Sequence, residues 1–162
     1  MVNSLPPKPV RDSISQYVEI TLPNDANIHG TLFGGKLMQY VDVAGAMAGA
    51  RHARGAVVTA SIDSMTFLHP VKIGHLVVLK SSVNRVFRTS MEAGVKVWAE
   101  DVPTGETWHI SSAYLTFVAV DKDGNRLPLP AVIPETEEEK RRFEEAGRRR
   151  EYRLQMKASA KP

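Results

Sequence analysis

Asp42 stands in the run "VDVAGAMAGA", residues 41–50, where every other residue is apolar. A carboxylate in such surroundings is costly unless it is paired or put to use, and its use would be to take a proton or to attack as a nucleophile. Read as a helix, the stretch gives Asp42 the neighbours Met38, Gln39, Gly45 and Ala46, none of them cationic. It also lies too far past the helix start to serve as an N-cap. The structural readings left are a pair with a distant Arg or Lys, or a place on a solvent-facing stripe. Asp63, in "TASIDSMTF", raises the same question less sharply, because strand alternation can turn it toward water. One loop upstream, "NIHGTLFGG" (27–35) gathers Asn27, His29, Gly30, Gly34 and Gly35 just before the helix. The first N–H groups of a helix have no internal partners and suit a developing oxyanion or a phosphate. For His29, hydrogen bonding within the loop is the simplest role.

Gly34 and Asp42 are separated by about 12 Å along a helix rising 1.5 Å per residue. One reacting carbonyl cannot touch both in one chain, so a shared substrate requires two chains with antiparallel helices. Gly45 and Gly49 lower the helix's own propensity and are expected to allow that close approach.

The elements that must hold these groups follow from pattern. "QYVEITLP" (16–23) reads as a short strand and 24–33 as a loop. Gly34 to about His52 reads as a helix that is apolar on nearly every face, hence a buried one. Four strands follow, in "AVVTASIDSMTF", "HLVVLKSSVNRVF", "SMEAGVKVWAE" and "TWHISSAYLTFVAV". In the third, Met91, Ala93, Val95, Val97 and Ala99 face one way, and Glu92, Gly94, Lys96, Trp98 and Glu100 the other. This order argues for an α+β fold with an antiparallel sheet. From Pro134 the chain is charged and helical, with Glu137–Arg141, Glu138–Arg142, Glu144–Arg148 and Glu145–Arg149 as i,i+4 pairs, and it reads as a solvated helix or an anion-binding one. The expected division is a loose arm over 1–13, a domain over 14–134, and a charged helix with a basic tail over 135–162.

Bulk properties set limits. With 162 residues the chain has the length of a single domain, and no apolar stretch reaches a membrane span. The N-terminal stretch lacks the apolar core of a secretory signal, and there is no cysteine, so a cytoplasmic location is expected. The net charge of +3 is uneven: residues 141–162 carry eight Lys/Arg against three Glu. The five histidines, at 29, 52, 69, 75 and 109, have no metal-ligand spacing, and no metal site is expected. Nucleic-acid binding through the tail would call for more interleaved aromatics than Phe143 and Tyr152.

The motifs "NIHGTLFGGKLMQYVDVAGAMAGARH", "VVTASIDSMTFLHPVKIG", "VNRVFRTSMEAGVKVWAED" and "TGE" together resemble the hotdog-fold acyl-CoA thioesterases. The group is the one containing the bacterial YciA enzymes and the brain-type cytosolic acyl-CoA hydrolases, and the likeness runs from about Tyr17 to Pro134. It implies a sheet wrapped around one buried helix, and self-association as a dimer assembled further into a hexamer. It also implies that Asn27 and Asp42 act on the thioester from opposite chains, with the N–H of Gly35 (or Gly34) stabilising the oxyanion. Asp42 would be general base or nucleophile, and Asn27 would orient water or the carbonyl. The products would be a carboxylic acid and CoA, with no cofactor, nucleic acid or membrane partner expected. CoA carries phosphates, so Arg85, Arg88, Thr89 and Ser90, and less directly Arg148 and Arg149, are the expected CoA-binding groups. A non-catalytic acyl-CoA-binding module is the rival; a dehydratase would place a His near the acid instead.

Overall fold

The core of the molecule is arranged about one helix, α1 (Gly34–Ala53). The computed structural model describes residues 5–160. Free of proline and rich in Ala, Leu, Met and Val, α1 runs 20 residues and stops at Arg54, which takes the left-handed conformation at the C-cap (φ 51°). Around it curls a five-stranded antiparallel sheet of β2 (Ser15–Ile20), β3 (Val57–Ile62), β4 (Leu76–Val86), β5 (Ser90–Asp101) and β6 (Glu106–Ala119), ordered β2-β4-β5-β6-β3. The expected wrap of a sheet around one helix is therefore present. The period-two reading of β5 holds on its inner face: Met91, Ala93, Val95, Val97 and Ala99 are all buried, against Val41, Ala44 and Ala48 of α1 in the same core.

Three expectations need correction. The arm over 1–13 is not loose where the structure describes it. β1 (Lys8–Pro9) pairs in parallel with β7 (Val132–Ile133), the next turn buries Val10 and Ser13, and Ser13 Oγ accepts from the N–H of Val83 at 2.9 Å. Gly45 and Gly49 do not face outward toward another helix. A Cβ on Gly45 would lie 3.0 Å from the Phe117 ring, and one on Gly49 would lie 3.0 Å from Met91 Cε. Their lack of side chains lets α1 settle into its own sheet. Finally, α1 is not covered on every face. Met38 is 41% exposed and Val43 38%, with Asp42, Ala46 and Met47 half-buried between them. An apolar stripe of the helix is left open, beside the edge strand β3 with its exposed Val58 and Ile62.

The charged segment forms α2 (Glu137–Ser159), started by a Thr136/Glu139 capping box. Of the four expected i,i+4 pairs, Glu138–Arg142 (2.6 Å) and Glu145–Arg149 (3.8 Å) form, while Arg141 turns to Glu145 and Glu137 to Lys140. The helix is not merely solvated. It lies on the outer face of the sheet, where Glu92 is fully buried and takes two hydrogen bonds from Arg149 (3.0 and 2.7 Å) and one from Asn84 (3.0 Å). Arg149 also stacks on Tyr114 at 3.6 Å, and Arg153 binds the Asp63 carboxylate at 2.9 Å. A buried carboxylate that takes three hydrogen bonds, two of them from Arg149 of α2, gives α2 a fixed seat. Asp63 thereby has a structural partner.

His52 ends α1 fully buried, its Nε2–H donating to the carbonyl of Pro130 at 2.8 Å and its Nδ1 without a partner among the described residues. Burial pushes its pKa below the ordinary 6.5, so the folded protein keeps the ring neutral. The unfolded chain protonates first, which means the stability His52 supplies is complete above about pH 6.5 and declines as pH falls through the folded value. Unfolding midpoints at about pH 7.5 and about pH 5 should therefore differ more for wild type than for His52→Gln; equal differences would show that His52 is not the group responsible.

Candidate active site

The loop ahead of α1 is built by Asn27. Its Oδ1 accepts from the backbone N–H of His29 (2.9 Å) and Thr31 (3.3 Å), and its Nδ2 donates to Thr31 Oγ1 (3.0 Å). The second Nδ2 hydrogen has no partner among the described residues. Backbone bonds close the turn, Asn27 N–H to Thr31 O at 2.8 Å and Gly30 N–H to Asn27 O at 3.0 Å. Gly30 sits at φ 74° with nothing within 4 Å of where its Cβ would be, so the turn requires glycine for its backbone, not for space. His29 contributes its backbone N–H here and its ring is exposed, in keeping with a loop role.

Phe33 precedes α1 without a side-chain cap, and its carbonyl accepts from Lys36 (2.9 Å) and Leu37 (3.1 Å). The N–H groups of Gly34 and Gly35 are left without partners among the described residues. Two aromatic rings stand close to these glycines: a Cβ on Gly35 would lie 2.9 Å from the Phe33 ring, and one on Gly34 3.6 Å from the Phe67 ring. Unpaired donors beside apolar rings interact more strongly with negative charge than donors in open water.

Asp42 lies about 12 Å further along the same helix. It is half-buried on the open stripe, and Thr59 Oγ1 donates to its Oδ1 at 2.6 Å. No cation within the described residues pairs with it, so the distant ion pair is not what holds it. The sequence reading missed Thr59. It sits on β3 at a register shift between Thr59 and Ser61, paired with Phe117, which also faces α1. Its only signal was that Val57 and Thr59 alternate onto one face.

The residues expected to bind CoA phosphates divide. Arg149 is committed to Glu92 and Tyr114, which corrects its assignment as a free phosphate ligand. Arg85 packs over Phe143 at 4.2 Å and donates to the Phe143 carbonyl at 3.3 Å, so it too serves the seat of α2. Ser90 Oγ accepts from Arg150 at 3.2 Å, and the Thr89 carbonyl accepts from Ala119 N–H. Arg88 and Arg148 are exposed and have no carboxylate partner among the described residues. Arg88 holds φ 145°, a conformation that side chains rarely adopt.

Residues 29–106 match a family model described as the thioesterase superfamily. The uncharacterized acyl-CoA thioester hydrolase YkhA of Bacillus subtilis is 50% identical over 117 residues, 72% of this chain and 68% of the relative. The chain belongs to the thioesterase superfamily. A hexameric acyl-CoA thioesterase crystallised in its apo form is 41% identical and superposes with a TM-score of 0.91 over 97% of this chain and 100% of its own. The acyl-CoA hydrolase of Staphylococcus aureus, crystallised with butyryl-CoA, CoA and CoA disulfide, is 35% identical, with a TM-score of 0.88 over 96% of this chain and 94% of its own. That hydrolase has also been crystallised with an Asn, an Asp or a Thr replaced by Ala; the three positions have the same spacings along its chain as Asn27, Asp42 and Thr59 have here. The superfamily's hotdog fold is thus the arrangement described above, the sheet wrapped on α1. In this thioesterase-superfamily chain no helix of the described residues is long and apolar enough to cross a membrane.

Proposed function

We propose that the chain hydrolyses acyl-CoA thioesters to a carboxylic acid and CoA, at sites shared between two copies. The observation that carries this reading is the position of Asp42, fixed by Thr59 on the one open apolar stripe of α1 and about 12 Å from the unpaired N–H groups of its own helix. A second copy packed antiparallel on that stripe covers Met38 and Val43 and brings its own Gly35 toward Asp42. The named activity of the relatives, the CoA bound by one of them and the hexamer formed by another support both parts.

The thioester carbonyl lies against the N–H of Gly35, aided by Gly34, of one copy, and Asn27 uses its free Nδ2 hydrogen to orient the water or the carbonyl. Asp42 of the other copy takes a proton from water as the oxygen bonds to the carbonyl carbon, giving a tetrahedral oxyanion held by those N–H groups. Collapse breaks the C–S bond, and the departing sulfur takes the proton from Asp42, leaving acid and CoA. Thr59 holds one carboxylate oxygen and so leaves the other aimed at water. These steps draw on the chain's own groups and water, and none requires a metal or organic cofactor. Of the arginines expected to meet CoA, Arg88 and Arg148 have no carboxylate partner among the described residues and are free to meet its phosphates, with Thr89 and Ser90 beside the first.

Thiol release from a panel of acyl-CoAs tests this. Asp42→Ala, folded and assembled as wild type, should lose about 10²-fold or more in kcat, the scale of a general base. Thr59→Val should lose roughly tenfold, the scale of one hydrogen bond to a charged group. Undiminished turnover in a correctly assembled Asp42→Ala would remove the mechanism. Arg88→Gly relieves the backbone and removes a cation. It should raise the melting temperature and raise KM for acyl-CoA several-fold more than KM for the matching acyl-pantetheine, which lacks the phosphates. Equal changes for both thioesters would clear Arg88 of phosphate binding.

A further inference from the structure

Beside the helix N-terminus the chain has an apolar pocket of about 260 Å³, lined by Leu32, Leu37, Phe67, Leu68 and Val71 together with Gly34. His69 is the one polar side chain among its lining residues. The floor is rigid: Leu32, Leu37 and Val71 are buried, and the N–H of Leu32 bonds the Val71 carbonyl at 2.7 Å. The rim is open, with Phe67 46% and Leu68 52% exposed. That rim is nonetheless fixed in place, because the N–H of Leu68 donates to the carbonyl of Ile110 on β6 at 2.9 Å. Apart from His69, such a cavity gives a polar ligand no side chain to bond, and it gives an aliphatic chain an apolar wall on several sides. It also shares Gly34 and Phe67 with the site, since the ring of Phe67 stands 3.6 Å from where the Cβ of Gly34 would be. A carbonyl carbon bound at the Gly34 and Gly35 N–H groups therefore has one side leading directly into this pocket.

We propose that the pocket receives the acyl chain of the thioester, and that Val71 and Leu37 at its floor set the longest chain used efficiently. This rests on the thioesterase reading and adds to it a substrate class, the short to medium straight-chain acyl-CoAs. At about 30 Å³ for each water-sized group, the space holds on the order of eight carbons. Each methylene added within the pocket improves transfer from water, which corresponds to about fourfold in kcat/KM per carbon until the floor is reached. Beyond that length the chain has to bend back past Phe67 and Leu68, and the gain stops.

The experiment is kcat/KM by thiol release across saturated acyl-CoAs of roughly two to sixteen carbons, for wild type, Val71→Ala and Phe67→Ala. Melting temperature and assembly size are recorded for each. The expected wild-type profile climbs to about eight carbons and then levels or falls. Val71→Ala deepens the floor and should move the break upward by about two carbons, the space of the two methyl groups removed. Phe67 lies on the exposed rim, so Phe67→Ala has little effect on folding; it should lower the ratio of kcat/KM for the best medium chain to that for acetyl-CoA by about tenfold. A wild-type enzyme whose kcat/KM still climbs at sixteen carbons, or a profile that neither folded variant changes, overturns the pocket assignment and leaves the hydrolase reading intact. Absence of turnover for every acyl-CoA overturns the hydrolase reading, and this inference with it.

Discussion

A helix that is apolar on nearly every face loses stability where its apolar surface meets water, so α1 governs what has to surround it. Its own sheet covers one side, and the absence of side chains at Gly45 and Gly49 brings it down onto Phe117 and Met91. The other side, from Met38 through Val43 to Met47, is left partly open by the described residues. Burying one such side chain stabilises by about 1.5–3 kcal/mol, so a surface of this kind favours association. The edge strand β3 lies beside it with Val58 and Ile62 exposed, which extends the open surface from helix to sheet. Asp42 lies in the middle of that surface. In the proposed dimer, a partner covering the stripe would also remove water from around the carboxylate, so that one packing requirement would serve chemistry.

The outer face of the sheet is organised by a second constraint, the buried carboxylate of Glu92. Three groups reach it, Arg149, Asn84 and more distantly Arg153, and two of the three come from α2. Alternation along β5 correctly put Glu92 on the face opposite Met91. It could not say that a helix some fifty residues later would close over it, because the pattern of a strand records which face a residue takes and not what covers that face. The same ignorance made Arg149 look available to a phosphate. Arg85 was misread for a related reason: its position at the end of β4 was legible, but Gly147 and Phe143, which enclose it, belong to α2.

The fold itself was largely legible, because the strands alternate cleanly and α1 contains no proline. The candidate site was legible where residues broke their local pattern: Asp42 in an apolar run, and Asn27 and the glycines in a loop ahead of a helix. Thr59 broke nothing. A threonine is at home in a strand, and only the pairing of β3 with β6 and its register shift bring the hydroxyl to Asp42. The arm was misjudged because prolines suggest looseness, whereas Pro9 extends a two-residue parallel pair whose partner lies far along the chain. What escaped in each case was a contact between residues distant in sequence.

The central claim is that each site takes Asn27 and Gly35 from one copy and Asp42 from another. The direct measurement is activity after Asn27→Ala and Asp42→Ala chains, each inactive alone, are unfolded together and refolded. If sites are shared, a mixed dimer has one site with both groups intact and one with neither. Random pairing should then restore roughly a quarter of wild-type activity, since half the dimers are mixed and each has one working site of two. No recovery, in mixtures shown to contain mixed dimers, would place Asn27 and Asp42 in the same site of one chain and contradict the account.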